Sequence, residues 1–184
     1  MINPALRFSR LVATVVLIRA LGVLTAALLA IDAYVHLHDA GLYDGGTGIT
    51  EGALFRVQAC VALVVALALL VRPHWVVVWV IALLVAAGAA GAIYLYTSVD
   101  VGALGPLPNL YEPTWALPGK RLAAAAETAA TATAALGLAV AVLARLHGRS
   151  PGTRHSTRDS RVRRGAGRRN ADSARSSMRG EGAQ

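Results

Sequence analysis

Residues 52–96 read GALFRVQACVALVVALALLVRPHWVVVWVIALLVAAGAAGAIYLY, and the fold class follows from this stretch. A helix crossing the hydrocarbon core of a bilayer needs about 20 apolar residues. Two such runs stand here, Gly52 to Val71 and Trp75 to Tyr96, parted by a turn that carries Arg72 and His74. The first has no charge after Arg56, and only the small residues of Gly88 to Gly91 interrupt the second. Outward from this pair, Leu11 to Ile31 and Leu122 to Leu146 also qualify. The last run is dominated by Ala and Thr from Ala123 to Ala135 and contains Glu127. Such a helix gains little from lipid contact and is expected to pack on its neighbours through small faces. The expectation is an all-α, four-helix transmembrane bundle over residues 1–147, with spans at about 11–31, 52–71, 75–96 and 122–146, structured loops at one end, and a tail over 148–184.

Composition agrees. Of the 184 residues 55% are apolar and only 15% charged, with a mean hydropathy of +0.53, where soluble domains carry about 25% charge. The formal net charge is +8, yet ten of the Arg lie between His147 and Gln184 beside three acids. The high pI therefore describes the tail, and nucleic-acid binding is not expected. That tail, rich in Arg, Ser and Gly, lacks an apolar period and is expected to be disordered. Two roles stay open for it: fixing topology, or touching anionic headgroups through Arg163-Arg164 and Arg168-Arg169, at about 1 kcal/mol per basic residue near the surface. One lysine, Lys120, beside seventeen Arg suggests a GC-rich bacterial source. Cys60 is the only cysteine, which excludes an intramolecular disulfide and a cysteine-rich metal site; it reads as a small packing residue. The first span is expected to be retained, because its apolar run is long for a signal peptide, contains Arg19, and ends in the poor cleavage sequence Leu28-Leu29-Ala30.

Arg7 and Arg10 precede the first span, Arg72 and His74 join the second to the third, and Arg145 and the tail follow the fourth. The opposite side receives Asp32, Asp39, Asp44, Glu51, Asp100 and Glu112, with Lys120 and Arg121. Basic loops stay in the cytoplasm, so both termini are expected there, in a bacterial inner membrane. Trp75, Trp79, Tyr94, Tyr96 and Trp115 fall at span borders, where amphipathic rings favour the headgroup level.

The first outer loop, residues 31–51, reads IDAYVHLHDAGLYDGGTGITE. In a helix Asp32, His36 and Asp39 share a face, while His38 points elsewhere. Asp32, His36, His38 and Asp39 could ligate a transition metal or form an interfacial polar cap; both readings stand. Thr50 and Glu51 suit the start of the second helix. The second loop, residues 100–121, has four prolines and many apolar residues. It is expected to fold back on the bundle mouth as a lid carrying Asp100, Tyr111, Glu112 and Trp115.

Arg19, Arg56 and Glu127 lie within the spans, each at about 2.5–3.5 kcal/mol if unpartnered at a helix centre. Counting inward at 1.5 Å per residue puts Arg56 and Glu127 at matching depth, about 6–8 Å from the outer border. Arg19 is deeper. An Arg56–Glu127 pair is expected, with Ala123, Ala124 and Thr131 permitting close approach.

Asp32-x-Tyr34-x-His36-Leu37, Gly52-x-Leu54-Phe55-Arg56, and Asp100-Val101-Gly102 through Leu107-Pro108-x-x-Tyr111-Glu112-Pro113 make the chain resemble a group of uncharacterised four-helix membrane proteins of GC-rich bacteria, over residues 10–145. That resemblance implies a fold and a location and no activity. Arg19-Ala-Leu-Gly22 is similar to the opening of DoxX-type proteins, small four-helix subunits linked to quinone-side redox chemistry, whereas the single cysteine departs from thiol-dependent membrane oxidoreductases. Without a nucleophile–base–orienter set or cofactor motif, the leading expectation is a non-catalytic accessory or small-ligand-binding membrane component. A redox or metal-dependent enzyme subunit and an oligomeric proton-coupled transporter are the rivals. The residues leave any cofactor open, and the expected partners are lipid and a homo-oligomer or larger membrane complex. Reporter fusions at Gly46, His74 and Gly152 test the topology: the first should report outside and the other two inside. An outside signal at His74 would contradict it.

Overall fold

The structure, a computed structural model, describes residues 4–45 and 48–148. The tail expected to be disordered lies, from residue 149 on, outside the described residues. Four α-helices make up the body: α1 (Pro4–Asp39), α2 (Glu51–Val71), α3 (Val76–Ser98) and α4 (Pro118–Gly148), with a 3-10 turn at Ala40–Tyr43. All four are long and apolar enough to cross a membrane by length and composition. The architecture is the expected four-helix bundle of a multi-pass membrane protein.

Local chemistry sets the helix ends. Thr50 adopts an extended backbone and its Oγ1 accepts from the Ala53 N–H at 3.1 Å, with Glu51 in the first turn; both complement the unpaired amides there. Pro73 cannot continue α2 and disfavours helix at the residue before it. The main departure from the expected boundaries is α1. It runs 36 residues, about 54 Å at 1.5 Å per residue, and no proline or glycine interrupts it after Gly22. Asp32, His36 and Asp39 are therefore helical and belong to the bundle, where a loop had been expected.

The helices approach through small side chains. Ala59, Ala62 and Ala66 of α2, Ala82, Ala86 and Ala90 of α3, and Ala123, Ala126, Ala130 and Ala134 of α4 are buried, at the three- and four-residue spacing that makes one helix face. Large apolar groups lie outside instead: Val16, Val64, Leu67, Leu84 and Leu136 are all more than half exposed. A soluble fold rarely exposes such a surface, whereas a bilayer solvates it. Cys60, expected as a packing residue, is free and sits on this exposed surface of α2.

One large ring fills the bundle interior. Trp79, expected at the membrane border, is wholly buried, and its indole N–H donates to the Pro73 carbonyl at 2.6 Å. The ring occupies the place where any side chain at position 137 of α4 would stand. Gly137 is thus the seat of Trp79. One step further along the bundle, Thr25 Oγ1 of α1 donates to Thr133 Oγ1 of α4 at 2.9 Å. At the opposite end Gly119 lets α4 start against Val35 and Asp39, which carries Glu127 toward the polar face of α1.

The α3–α4 connection folds back as expected. The Glu112 N–H donates to the Tyr96 carbonyl at 3.1 Å, and the Trp115 ring lies against Tyr94 at 5.9 Å. Asp100 Oδ1 accepts from Gly102 N and Asn109 Nδ2, both at 3.0 Å, closing the first part of the loop on itself.

Because a side chain at 137 must displace the Trp79 ring, Gly137→Leu should lower stability in detergent by about 1–3 kcal/mol, the range for overpacking a filled core. Gly88→Leu, where an added Cβ meets nothing within 4 Å, should not lower it. Thermal unfolding of the two variants in the same detergent makes the comparison.

Candidate functional site

Polar groups converge where α1, α2 and α4 meet. Asp32 and Glu127 are among the largest fully buried side chains, at 0% and 1% exposure. His36 stands one helical turn after Asp32, with its Nδ1 2.9 Å from Asp32 Oδ1 and 3.0 Å from the Asp32 carbonyl oxygen. A carbonyl only accepts, so that contact makes Nδ1 the protonated nitrogen. Its N–H goes to the carbonyl, and Asp32 Oδ1 is left without a hydrogen bond from the protein, as is Glu127 Oε2. Gln58 of α2 donates through Nε2 to Asp32 Oδ2 at 3.3 Å. The Phe55 ring meets the His36 ring edge-on at 5.0 Å and restricts its rotation.

His36, Phe55, Gln58 and Glu127 of this cluster line a cavity of about 370 Å³. Val35, Leu54, Phe55, Val57, Val61 and Ile93 supply an apolar wall, and the small Gly88, Ala89 and Ala92 of α3 leave the space. Leu110, Glu112, Leu117 and Lys120 line it from the connection and the start of α4, and Asp39, Tyr43, Glu51 and Tyr96 line it as well. Lys120 Nζ donates to the Glu112 carbonyl and lies 5.2 Å over the Trp115 ring. Of the four expected lid residues, Glu112 faces the cavity, Trp115 supports Lys120, and Asp100 and Tyr111 serve the loop's own turns.

Several expectations need correction. Arg56 does not meet Glu127. Its guanidinium grips Asp44 with both nitrogens, Nη1 to Oδ1 at 2.7 Å and Nη2 to Oδ2 at 2.6 Å, on the exposed rim. Depth matched, but on a helix direction also matters: Arg56 is on the outward side of α2, two residues from the inward Gln58. Arg19 is likewise on an exposed face of α1, with no carboxylate partner among the described residues. Of the expected set Asp32, His36, His38 and Asp39, only the first two share a cluster, and Glu127 joins them. His38 turns outward and stacks on Tyr34, ring centres 5.8 Å apart, and Asp39 lines the cavity without joining the cluster.

Neither protein-family models nor curated proteins nor solved structures give a match to this chain. The site therefore rests on its own geometry. Gln58 was missed in the sequence, although it is the only polar residue after Arg56 in the second span and so carried a signal. Asp44, twelve residues before Arg56 in a glycine-rich loop, carried none.

The hydrogen bonds from Arg56, then its positive charge, hold the Asp44 carboxyl below the usual carboxylate value. Folding lowers this pKa, so the stabilisation is complete above the ordinary value of about 4 and disappears as pH falls through the lowered one. A double-mutant cycle on melting temperature should find Arg56→Ala and Asp44→Ala coupled at pH 7 and additive in strong acid. Arg56→Ala and Glu127→Gln should be additive at both.

Proposed function

We propose that this chain is a small-ligand-binding component of a bacterial cytoplasmic membrane, with both termini in the cytoplasm and its binding cavity at the extracytoplasmic end. The cavity carries the reading. Its volume of about 370 Å³ falls within the 300–1,000 Å³ of ordinary small-molecule sites, which combine apolar walls with a few placed polar groups. Here the walls are aliphatic and aromatic, and the polar groups are four carboxylates, Asp39, Glu51, Glu112 and Glu127, against Lys120 and His36. That excess of acceptors suits a compact molecule with an apolar body and a basic or hydrogen-bond-donating head.

The orientation follows the basic residues Arg72 and Arg145, at the ends of α2 and α4 away from the cavity. The non-catalytic assignment rests on the lining: among the described residues no serine or cysteine lines the cavity, and the Thr97 hydroxyl, which does, donates to the Ile93 carbonyl.

Gly88 faces open space, so a ring placed there enters the cavity without displacing protein atoms. Protein purified in mild detergent should retain a small molecule detectable by mass spectrometry of the extract. Gly88→Phe should fold normally and lose that molecule. Equal retention by parent and variant would sink the cavity as the binding site.

A further inference from the structure

Asp32, His36 and Glu127 each place a donor atom within 4.8 Å of the other two, and the cluster is chemically incomplete. Asp32 Oδ1 and Glu127 Oε2 are buried carboxylate oxygens with no hydrogen bond from the protein, on side chains that are 0% and 2% exposed. Leaving such an atom unsatisfied costs more than a hydrogen bond returns, and the penalty is larger for a charge. Two of them together call for protons or for a cation between them. The imidazole between them is set to help. With Nδ1–H committed to the Asp32 carbonyl, the neutral ring keeps its lone pair on Nε2. That nitrogen lies 4.0 Å from Glu127 Oε1, too far for a hydrogen bond; a tetrahedral ion bonded to both at about 2 Å draws them to roughly 3.3 Å, a small side-chain closure on loading. An imidazole oriented through Nδ1–H to a backbone carbonyl is the usual support for a metal-bound histidine.

We infer that Asp32, His36 and Glu127 bind one divalent transition-metal ion of the zinc class. One imidazole and two carboxylates, with no thiolate, suit borderline ions such as Zn²⁺, Fe²⁺ or Mn²⁺ and disfavour soft Cu⁺. Ca²⁺ takes six to eight oxygens and Mg²⁺ keeps most of its water, which a nitrogen-bearing site in an apolar bundle does not provide. Two carboxylates also neutralise the double charge, so the loaded site adds none to the bundle interior. Gln58 holds Asp32 through Oδ2 and acts as a positioning residue. Three protein donors leave a coordination position free, and since His36 and Glu127 line the cavity, that position opens into it. Open three-ligand zinc sites accept water or an exogenous ligand, unlike closed structural ones. The site draws on the cavity reading only for where its free position points.

The test uses the full chain in mild detergent, stripped with chelator and titrated calorimetrically with Zn²⁺, with Co²⁺ as a spectroscopic substitute. One Zn²⁺ per chain is expected, together with visible Co²⁺ bands of a low-coordinate site. Glu127→Gln, nearly isosteric, and His36→Asn should each weaken binding on the order of a hundredfold, the upper end of what even outer-shell changes cost. His38→Ala should not. A monodisperse Glu127→Gln or His36→Asn protein that binds Zn²⁺ as tightly as the parent overturns the proposal. So does a folded parent that binds none, in which case the buried carboxyls hold protons instead. Zinc binding without any co-purifying organic molecule sustains the metal site while removing the ligand reading, so the two fail separately.

Discussion

Lipid tails are as apolar as leucine, so helices in a bilayer gain nothing merely by hiding leucines from them. Association has to come from close packing and from polar contacts across the interfaces. This bundle follows that constraint closely: alanine and glycine face inward, the bulky aliphatics face outward, and the helices are near enough for Thr25 to reach Thr133 and for Trp79 to rest on Gly137. The arrangement of every other group depends on that close approach. Alanines bring the helices close, and the Trp79 ring with Leu29 and Leu69 fills the space that remains between them.

The same packing explains how the chain handles charge. At the rim, Arg56 and Asp44 pair in an exposed position, where solvent screens them and the pair contributes little. One turn deeper, Asp32 and Glu127 have no solvent and no opposing arginine. A buried carboxylate among small apolar side chains is among the more expensive groups in any fold. Two of them, with a histidine locked in one tautomer and a glutamine bound to the first, are hard to explain as packing. His36, Gln58 and Glu127 line a cavity beside the small residues of α3, and that coincidence of cavity and unsatisfied charge is the reason to regard this end of the bundle as the working end.

The polar residues of the long connection contribute by closure. Pro106, Pro108 and Pro113 keep residues 100–117 from forming a helix, so backbone amides find partners by turning back, the Glu112 N–H onto the Tyr96 carbonyl and the Gly102 N–H onto the Asp100 carboxylate. The result sets Leu110, Glu112 and Leu117 over the cavity while Trp115 steadies Lys120. Gly119 at the start of α4 then lets that helix descend directly against α1, which is what brings Glu127 to Asp32 and His36.

The sequence by itself determined that there are four apolar helices, where the second and third start and stop to within two residues, that Thr50 caps the second, and that Asp32 and His36 share a face. Each of these depends on local composition or on the fixed rise and turn of a helix, and needs no knowledge of neighbours. It also showed that Glu127 sits at a level where a lone charge is costly. Its partner was beyond reach, because depth along a helix can be counted from the chain whereas direction around the helix matters only once the helices are docked. Two residues separate Arg56 from Gln58, and that rotation sends the arginine out to Asp44 and the amide in to Asp32. The cavity was equally invisible, since it exists only because small residues on α3 face a gap whose other walls come from three separate parts of the chain.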